Sequence, residues 1–348
     1  MRPLRLAPLA ALAALVFATP AVPCSRVLWN DNGRSVLVGR NMDWFEDLKS
    51  NAWILPRGMQ RDGLAEKNPL RWTSKYGSVI VTAYDVGTAD GINEKGLAVH
   101  FLYLPETEVA PRDEKIPGLS MSVWAQYYLD QFATVAEAVK AVKTEPYQLR
   151  MAVEPTSKKP ATVHLAINDA SGDSAILECI KGELKVYHSR EYTVMTNQPT
   201  FDKQLENLKQ YRGFGGDKKL PGTHEPADRF VRGAYYVKNL PKPKSDREAV
   251  AALMSVMRNT SAPFGIADPE RPNVSTTIWR TVTDLTNGVL YYDGVFSPQV
   301  FWVDTKKVKF DAGEPVRKLT VVGNFDLMGE VSGKFEKADM FPFLKPQE

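Results

Sequence analysis

Cys24-Ser-Arg-Val-Leu-Trp29 and Ser35-Val-Leu-Val-Gly-Arg40-Asn-Met42 are two alternating apolar runs with Asn30-Asp-Asn-Gly33 between them. Asn and Gly tolerate the backbone of a tight turn, so the stretch reads as a β-hairpin. An antiparallel hairpin places the start of one strand opposite the end of the other. The reading therefore brings Cys24 together with Arg40 and Asp43.

What precedes Cys24 gives it a second meaning. Arg2 and Arg5 form a positive head, 6–18 is apolar apart from Pro8, and Thr19-Pro20-Ala21 supplies small residues. Residues 1–23 fit a secretory signal peptide and are short for a membrane span. A cut after Ala21 matches the small-x-small pattern and leaves Val22-Pro23 to be trimmed. A cut directly before Cys24 puts Pro23 at the last leader position. A lipid anchor also uses a cysteine after an apolar run, but Ala21-Val22-Pro23 lacks the usual Leu and the small residue directly before the Cys. If processing exposes Cys24, one residue carries a thiol and a free α-amine to serve as its base. That is the chemistry of an N-terminal-nucleophile hydrolase. The expectation is a leader over 1–23, one domain over 24–348, and a periplasmic or secreted location.

Composition narrows the classes. The formal charge is +3, of which Arg2 and Arg5 carry two. No basic run or interleaving of Arg/Lys with aromatics marks a nucleic-acid surface. No second apolar segment is long enough to span a membrane. The two cysteines, Cys24 and Cys179, could pair in an exported protein, which would remove the nucleophile. Cys179 lies in an alternating strand-like segment, where a buried free thiol packs like an aliphatic; the reading is two separate thiols. His100, His164, His188 and His224 are scattered without zinc spacing. A papain-like Cys–His pair lacks its local signature. G-x-S-x-G, P-loop and G-x-G-x-x-G motifs are missing, and neither metal nor organic cofactor is expected.

Along the chain, strands dominate. The patterns predict strands over 78–84 and 97–103 around Asp90-Gly-Ile-Asn-Glu-Lys-Gly96, and a helix over 119–131. Thr134 and Glu137 form a capping box for a second helix to 143. A four-strand meander follows over 164–167, 174–179, 184–188 and 192–196. Helices are expected over 226–240 and, capped by Ser245 and Glu248, to 257. Strands return over 276–284, 288–293, 300–303 and 319–322. The order gives no clean boundary, so one α+β domain is predicted.

Five blocks then resemble a known family. They are Cys24-Ser-Arg, Gly39-Arg40-Asn-Met-Asp43-Trp44, Asn93-Glu-Lys-Gly96-Leu, Thr196-Asn197-Gln-Pro199-x-Phe201 and Arg229-Phe-x-Arg232. In this order they resemble the choloylglycine hydrolases, which include penicillin V acylases and bile salt hydrolases. The leader and the stretch after Asp311 look like the Gram-negative penicillin V acylase branch, also associated with acyl-homoserine lactones. The resemblance implies a four-layer αββα sandwich and often a homotetramer. It implies a small N-acyl amide as substrate, with Cys24 attacking the carbonyl to form a thioester. Arg40 would favour the thiolate, and Asp43 would orient the α-amine. Asn197 through its amide and Tyr103 through its backbone N–H would hold the oxyanion. Arg229 would stabilise charge nearby, and Met42 and Trp44 would wall the acyl pocket.

Each residue also has an ordinary reading. Arg40 and Asp43 could be strand-end surface charges, Asn197 a turn residue before Gln-Pro, and Tyr103 a half-buried strand aromatic. Arg229 and Arg232 could be helix-surface charges; Arg229 is preferred because it precedes the Phe. Penicillin V, acyl-homoserine lactones and conjugated bile salts compete as substrates. Trp44, Trp53, Trp72 and Tyr103 are the aromatics available to an aryl-acyl pocket. The contrasting class is a lipoprotein anchored at Cys24 that binds an acyl compound without turnover.

Overall fold

The computed structural model describes residues 24–265 and 275–347; the leader lies outside them. The hairpin forms as read. Ser25–Trp29 pairs antiparallel with Leu37–Trp44, with Arg26 opposite Arg40 and Ser25 opposite Asn41. Asn32 Oδ1 accepts the N–H groups of Arg34 (2.9 Å) and Ser35 (3.0 Å), and Gly33 takes φ +79°.

This hairpin supplies the second and third strands of a seven-stranded sheet. Its order is Val194–Thr196, Ser25–Trp29, Leu37–Trp44, Thr276–Asp284, Val289–Gly294, Val300–Asp304 and Gly329–Glu330. A nine-stranded sheet lies against it. It runs Glu183–His188, Ser174–Ile180, Val163–Asn168, Ala98–Tyr103, Gly87–Asn93, Ser78–Ala83, Ala52–Leu55, Arg317–Leu319 and Glu336–Lys337.

The period-2 alternation of the nine-stranded sheet separates two cores. Val79, Val81, Ala98, Ala166 and Ile176 face the other sheet. Ile80, Val99, Leu165, Ile167 and Leu177 face the helices Met121–Gln131 and Val135–Thr144, around Trp124 and Tyr128. On the outer side of the seven-stranded sheet lie the helices Pro226–Lys238 and Asp246–Asn259. Their approach is close: a Cβ at Gly39 would overlap the Met257 side chain. The layers are thus helix, sheet, sheet, helix, the αββα sandwich. The capping boxes are present. Thr134 Oγ1 accepts from the Glu137 N–H (3.2 Å), and Ser245 Oγ from the Glu248 N–H (3.1 Å). No helix among the described residues is long and apolar enough to cross a membrane.

Three expectations change, besides the strand expected over 319–322, which lies at Arg317–Leu319. The four-strand meander stops at three strands. Its fourth, Val194–Thr196, crosses to the other sheet and pairs Thr196 with Ser25. All three of its residues are buried, which suits a strand covered on both faces. Adjacency in sequence is only a tendency for pairing, and here it fails beside Cys24. Second, Asp90–Asn93 is not a turn but the end of the strand Gly87–Asn93. Gly91 sits there because a Cβ would press on Val79 O; only Gly96 takes the left-handed backbone, at φ +83°. Third, the helix expected from 119 begins at Met121. Gly118–Ser120 pairs with Gln148–Arg150, and Ser120 Oγ caps the Ser122 N–H.

Candidate active site

Alternation along the hairpin sorts the site. Cys24, Arg26, Arg40, Met42 and Trp44 fall on the face toward the nine-stranded sheet, and Ser25, Asn41 and Asp43 on the face toward the helices. Cys24 is 2% exposed. Its Sγ lies 3.6 Å from the Asp43 backbone O, and its N–H donates to Asn197 Oδ1. Asn197 is there because Val194–Thr196 crossed sheets.

Asn197 joins the two sheets. Its Nδ2 donates to Tyr103 O (2.7 Å), while its Oδ1 also accepts from Arg229 Nη2 (3.0 Å). Tyr103 lies past the end of the ladder that pairs Gly87–Asn93 with Ala98–Tyr103. Leu104 N–H donates to Thr162 O (3.0 Å), so in the antiparallel alternation the Tyr103 N–H points away from that neighbour. The two expected oxyanion donors are therefore side by side, but the Asn197 amide hydrogen is turned onto the Tyr103 carbonyl. An arriving oxyanion must compete for it.

Arg229 is fully engaged. Nη1 donates to Cys24 O and Ser25 Oγ (both 2.5 Å), and Nε to His224 O (2.8 Å). Burial pulls it down to about 10 although Asp43 Oδ2 is 3.9 Å away. Arg232 instead binds the carbonyl of Thr223 on the loop before the helix. Asp43 Oδ1 accepts from Thr277 Oγ1; Oδ2 is buried with no hydrogen-bond partner among the described residues. Burial pushes Asp43 up to about 6, against the pull of Arg229. The hydrogen of the Cys24 peptide nitrogen goes to Asn197, so the Asp43 carboxylate is an acceptor still open.

Arg40 donates through Nη2 to Phe101 O (2.6 Å) and lies 4.6 Å over the Trp279 ring. Its Nε and Nη1 are buried without partners among the described residues. Burial pushes the Cys24 thiol up. Arg40 is the largest influence pulling it back, Asp43 pushes it further up, and Arg229 pulls it down.

Cys24 opens onto a cavity of about 150 Å³. Met42, Trp44, Tyr84, Phe101 and Tyr103 supply much of its wall. Trp44 meets Tyr103 edge-on with centroids 6.2 Å apart, and its Nε1 donates to Tyr84 OH (3.1 Å). Trp53 and Trp72 face the helix-covered core instead, against Phe341 and Tyr127. Both thiols are free, and no group of three or more His, Cys, Asp or Glu is placed to hold a metal among the described residues.

The profile described as linear amide C–N hydrolases, choloylglycine hydrolase family, matches residues 24–318. The chain belongs to the choloylglycine hydrolase family. It is a linear amide C–N hydrolase. It is 42% identical to a penicillin V acylase of Pectobacterium atrosepticum, over 93% of this chain and 92% of that protein. It is 27% identical to a bile salt hydrolase/transferase of Clostridium perfringens, over 80% and 91% of the two chains. A solved penicillin V acylase from Agrobacterium tumefaciens superposes with a TM-score of 0.83 at 42% identity, covering 92% of this chain and 99% of that one.

Around this choloylglycine hydrolase site stand residues to which the sequence assigned no role. Thr277 anchors Asp43. Trp279 lies opposite Met42 in register and underlies Arg40. Their strand was legible, but nothing local says which residues of it reach the site. Arg26, in the motif Cys24-Ser-Arg, is fully buried. It donates to Asn168 Oδ1 (3.0 Å), Tyr192 O (2.8 Å) and Ser174 Oγ (2.7 Å), and burial lowers it to about 9. It ties the strand that follows Cys24 to the opposite sheet. Asp90 faces this polar centre: it pairs with His100 (3.1 Å) and accepts from Thr281, the residue opposite Arg40.

Proposed function

We propose that this hydrolase is an exported N-terminal-cysteine amidase that cleaves aryl-acyl amides of the penicillin V type. The carrying observation is the aromatic wall of the cavity at Cys24, where Trp44, Tyr84, Phe101 and Tyr103 offer rings to an aryl-acyl group. Support comes also from the 42% identical penicillin V acylases. Removal of residues 1–23 would turn the Cys24 nitrogen into an α-amine. Asn197 Oδ1 would keep one of its hydrogens, and the open Asp43 Oδ2 would take another.

The amine would accept the thiol proton as sulfur attacks the acyl carbon, with Arg40 favouring the thiolate. The Tyr103 N–H and the Asn197 amide, released from Tyr103 O, would receive the oxyanion. Collapse would break the C–N bond, pass the proton to the departing amine and leave a thioester. Water, deprotonated by the same amine, would then release the acid.

A second reading keeps the mechanism and changes the acyl group. The cavity also carries an aliphatic wall that includes Ala152, Val163 and Leu344, which suits the fatty chain of an acyl-homoserine lactone. Assay of penicillin V, N-acyl-homoserine lactones and glycocholate separates these substrates. Intact mass of the processed protein tests the mechanism. A chain beginning at an unmodified Cys24 is expected. A diacylglyceryl group joined as a thioether to the Cys24 sulfur would remove the nucleophile and leave the lipoprotein instead.

A further inference from the structure

The family match ends at residue 318, yet Leu344 shares the cavity with Cys24. The last described residues form a strap pinned at intervals. Phe341 packs edge-on against Trp53 with centroids 5.0 Å apart, and the Arg61 guanidinium lies 5.5 Å over Phe343. Between these anchors and the end, Leu344 is bound through both backbone groups. Its carbonyl accepts from Ser120 Oγ (2.8 Å) and Ser122 Oγ (2.7 Å), and its N–H donates to Val86 O (3.2 Å). Beyond it, Gln347 N–H donates to Met151 O (3.1 Å) and Pro346 bridges to Ala152.

These bonds have a consequence for the cavity. Cys24 enters it from the seven-stranded sheet. Leu344 is held by the start of helix Met121–Gln131, in the layer outside the nine-stranded sheet. The two residues therefore approach from opposite layers. An acyl group joined to Cys24 Sγ that extends away from the seven-stranded sheet runs toward the strap. The Leu344 backbone polar groups are satisfied, so it presents only its isobutyl group. The cavity wall also includes the apolar side chains of Ala152 and Val163.

We propose that Leu344 is a specificity-determining residue: it is the stop against which the far end of the acyl group rests, and it sets the longest chain accepted. This rests on the reading of Cys24 as the acylated nucleophile. Leu344→Ala removes three carbons of the stop and Leu344→Trp extends it. One methylene of fit in an apolar pocket is worth about tenfold or more in kcat/KM.

The test uses butanoyl and octanoyl amides of one common amine. The octanoyl to butanoyl ratio of kcat/KM should rise about tenfold in Leu344→Ala and fall about tenfold in Leu344→Trp. Ser120→Ala with Ser122→Ala, which unpins the strap without touching Leu344, should lower the discrimination between the two chains. An unchanged ratio in both Leu344 variants, or an equal loss on both substrates, overturns the proposal. Affinities of butanoate and octanoate are measured in parallel in a Cys24→Ala background. There the octanoate preference should move in the same directions. If the native protein turns over neither of these amides nor penicillin V but the carboxylate preferences move, the nucleophile reading fails and the stop stands. If turnover is normal and neither ratio nor preference moves, the stop fails alone.

Discussion

Cys24 and Cys179 are both free thiols at the edge of a sheet core, 2% and 4% exposed. Burial pushes both above the ordinary thiol range, Cys179 to about 11. They differ in what surrounds the sulfur. Cys179 has the Glu108 carbonyl 3.2 Å away, helix-core hydrocarbon, and the Glu108 carboxylate raising it further. Cys24 has Arg40 and Arg229 opposing its burial, and a cavity in front of it. Burial alone makes a thiol inert; buried positive charge and an open face are what the role proposed for Cys24 requires.

The largest effect should come from removing the proposed nucleophile. Cys24→Ala is expected to lower turnover by about 10⁴-fold or more, since the covalent route vanishes, while Cys179→Ala leaves kcat within about twofold. Equal losses in the two variants would erase the contrast. Arg40→Leu should come next, at about 10² in kcat/KM. The pH at which iodoacetamide labels Cys24 should rise in that variant, and the labelling of Cys179 should not change. Arg40→Lys keeps the charge and should recover part of the labelling. If Arg40→Leu leaves the labelling profile in place, Arg40 acts only through packing on Trp279.

How far these environments could be read from sequence follows the same division. The hairpin was legible because its turn residues and alternation are local. It placed Arg40 and Asp43 near Cys24 without a structure. Arg229 over Arg232, and Met42 and Trp44 on the wall, came only with the family motifs. Their contacts depend on where a helix docks on a sheet. Val194–Thr196 shows the limit. A three-residue apolar run carries no mark of which sheet it will join, and its crossing decides that Asn197 reaches Cys24. Thr277 and Trp279 were invisible for a related reason, since they act through register with Leu37–Trp44. Leu344 lies beyond every motif, and it is fixed by contacts distant in sequence, among them the hydroxyls of Ser120 and Ser122 and the Val86 carbonyl.

Asp43 gives an effect of middle size with a definite sign. Its value of about 6 in the fold lies above the ordinary carboxylate value of ~3.9. Between those pH values the folded chain holds a proton that the unfolded chain has lost. Its contribution to stability is thus complete below about pH 4 and disappears as pH rises through 6, in all about 3 kcal/mol. The proposed amine acceptor needs the ionised form, so activity should fall on the acid side. Asp43→Asn cannot titrate. The unfolding free energy of the native protein, measured relative to Asp43→Asn, should therefore decline from pH 4 to pH 7. A flat difference would mean that Asp43 is not held protonated by burial.

The smallest effect closes the comparison from the side of stability. Cys179 fills the helix-covered core with no reacting partner, so its sulfur contributes only packing and one weak hydrogen bond. Cys179→Ala should cost about 1 kcal/mol, the scale of one buried methylene. Cys24 faces a cavity on one side, so its sulfur has fewer neighbours to lose, and Cys24→Ala should cost less. Urea unfolding of the two variants against the native protein measures both. Together with the turnover data, the expected pattern is crossed: the residue whose loss abolishes catalysis is the one whose loss the fold feels less. If Cys24→Ala proves the more destabilising, its environment is built for packing as well as for reaction, and the distinction drawn from the two arginines weakens accordingly.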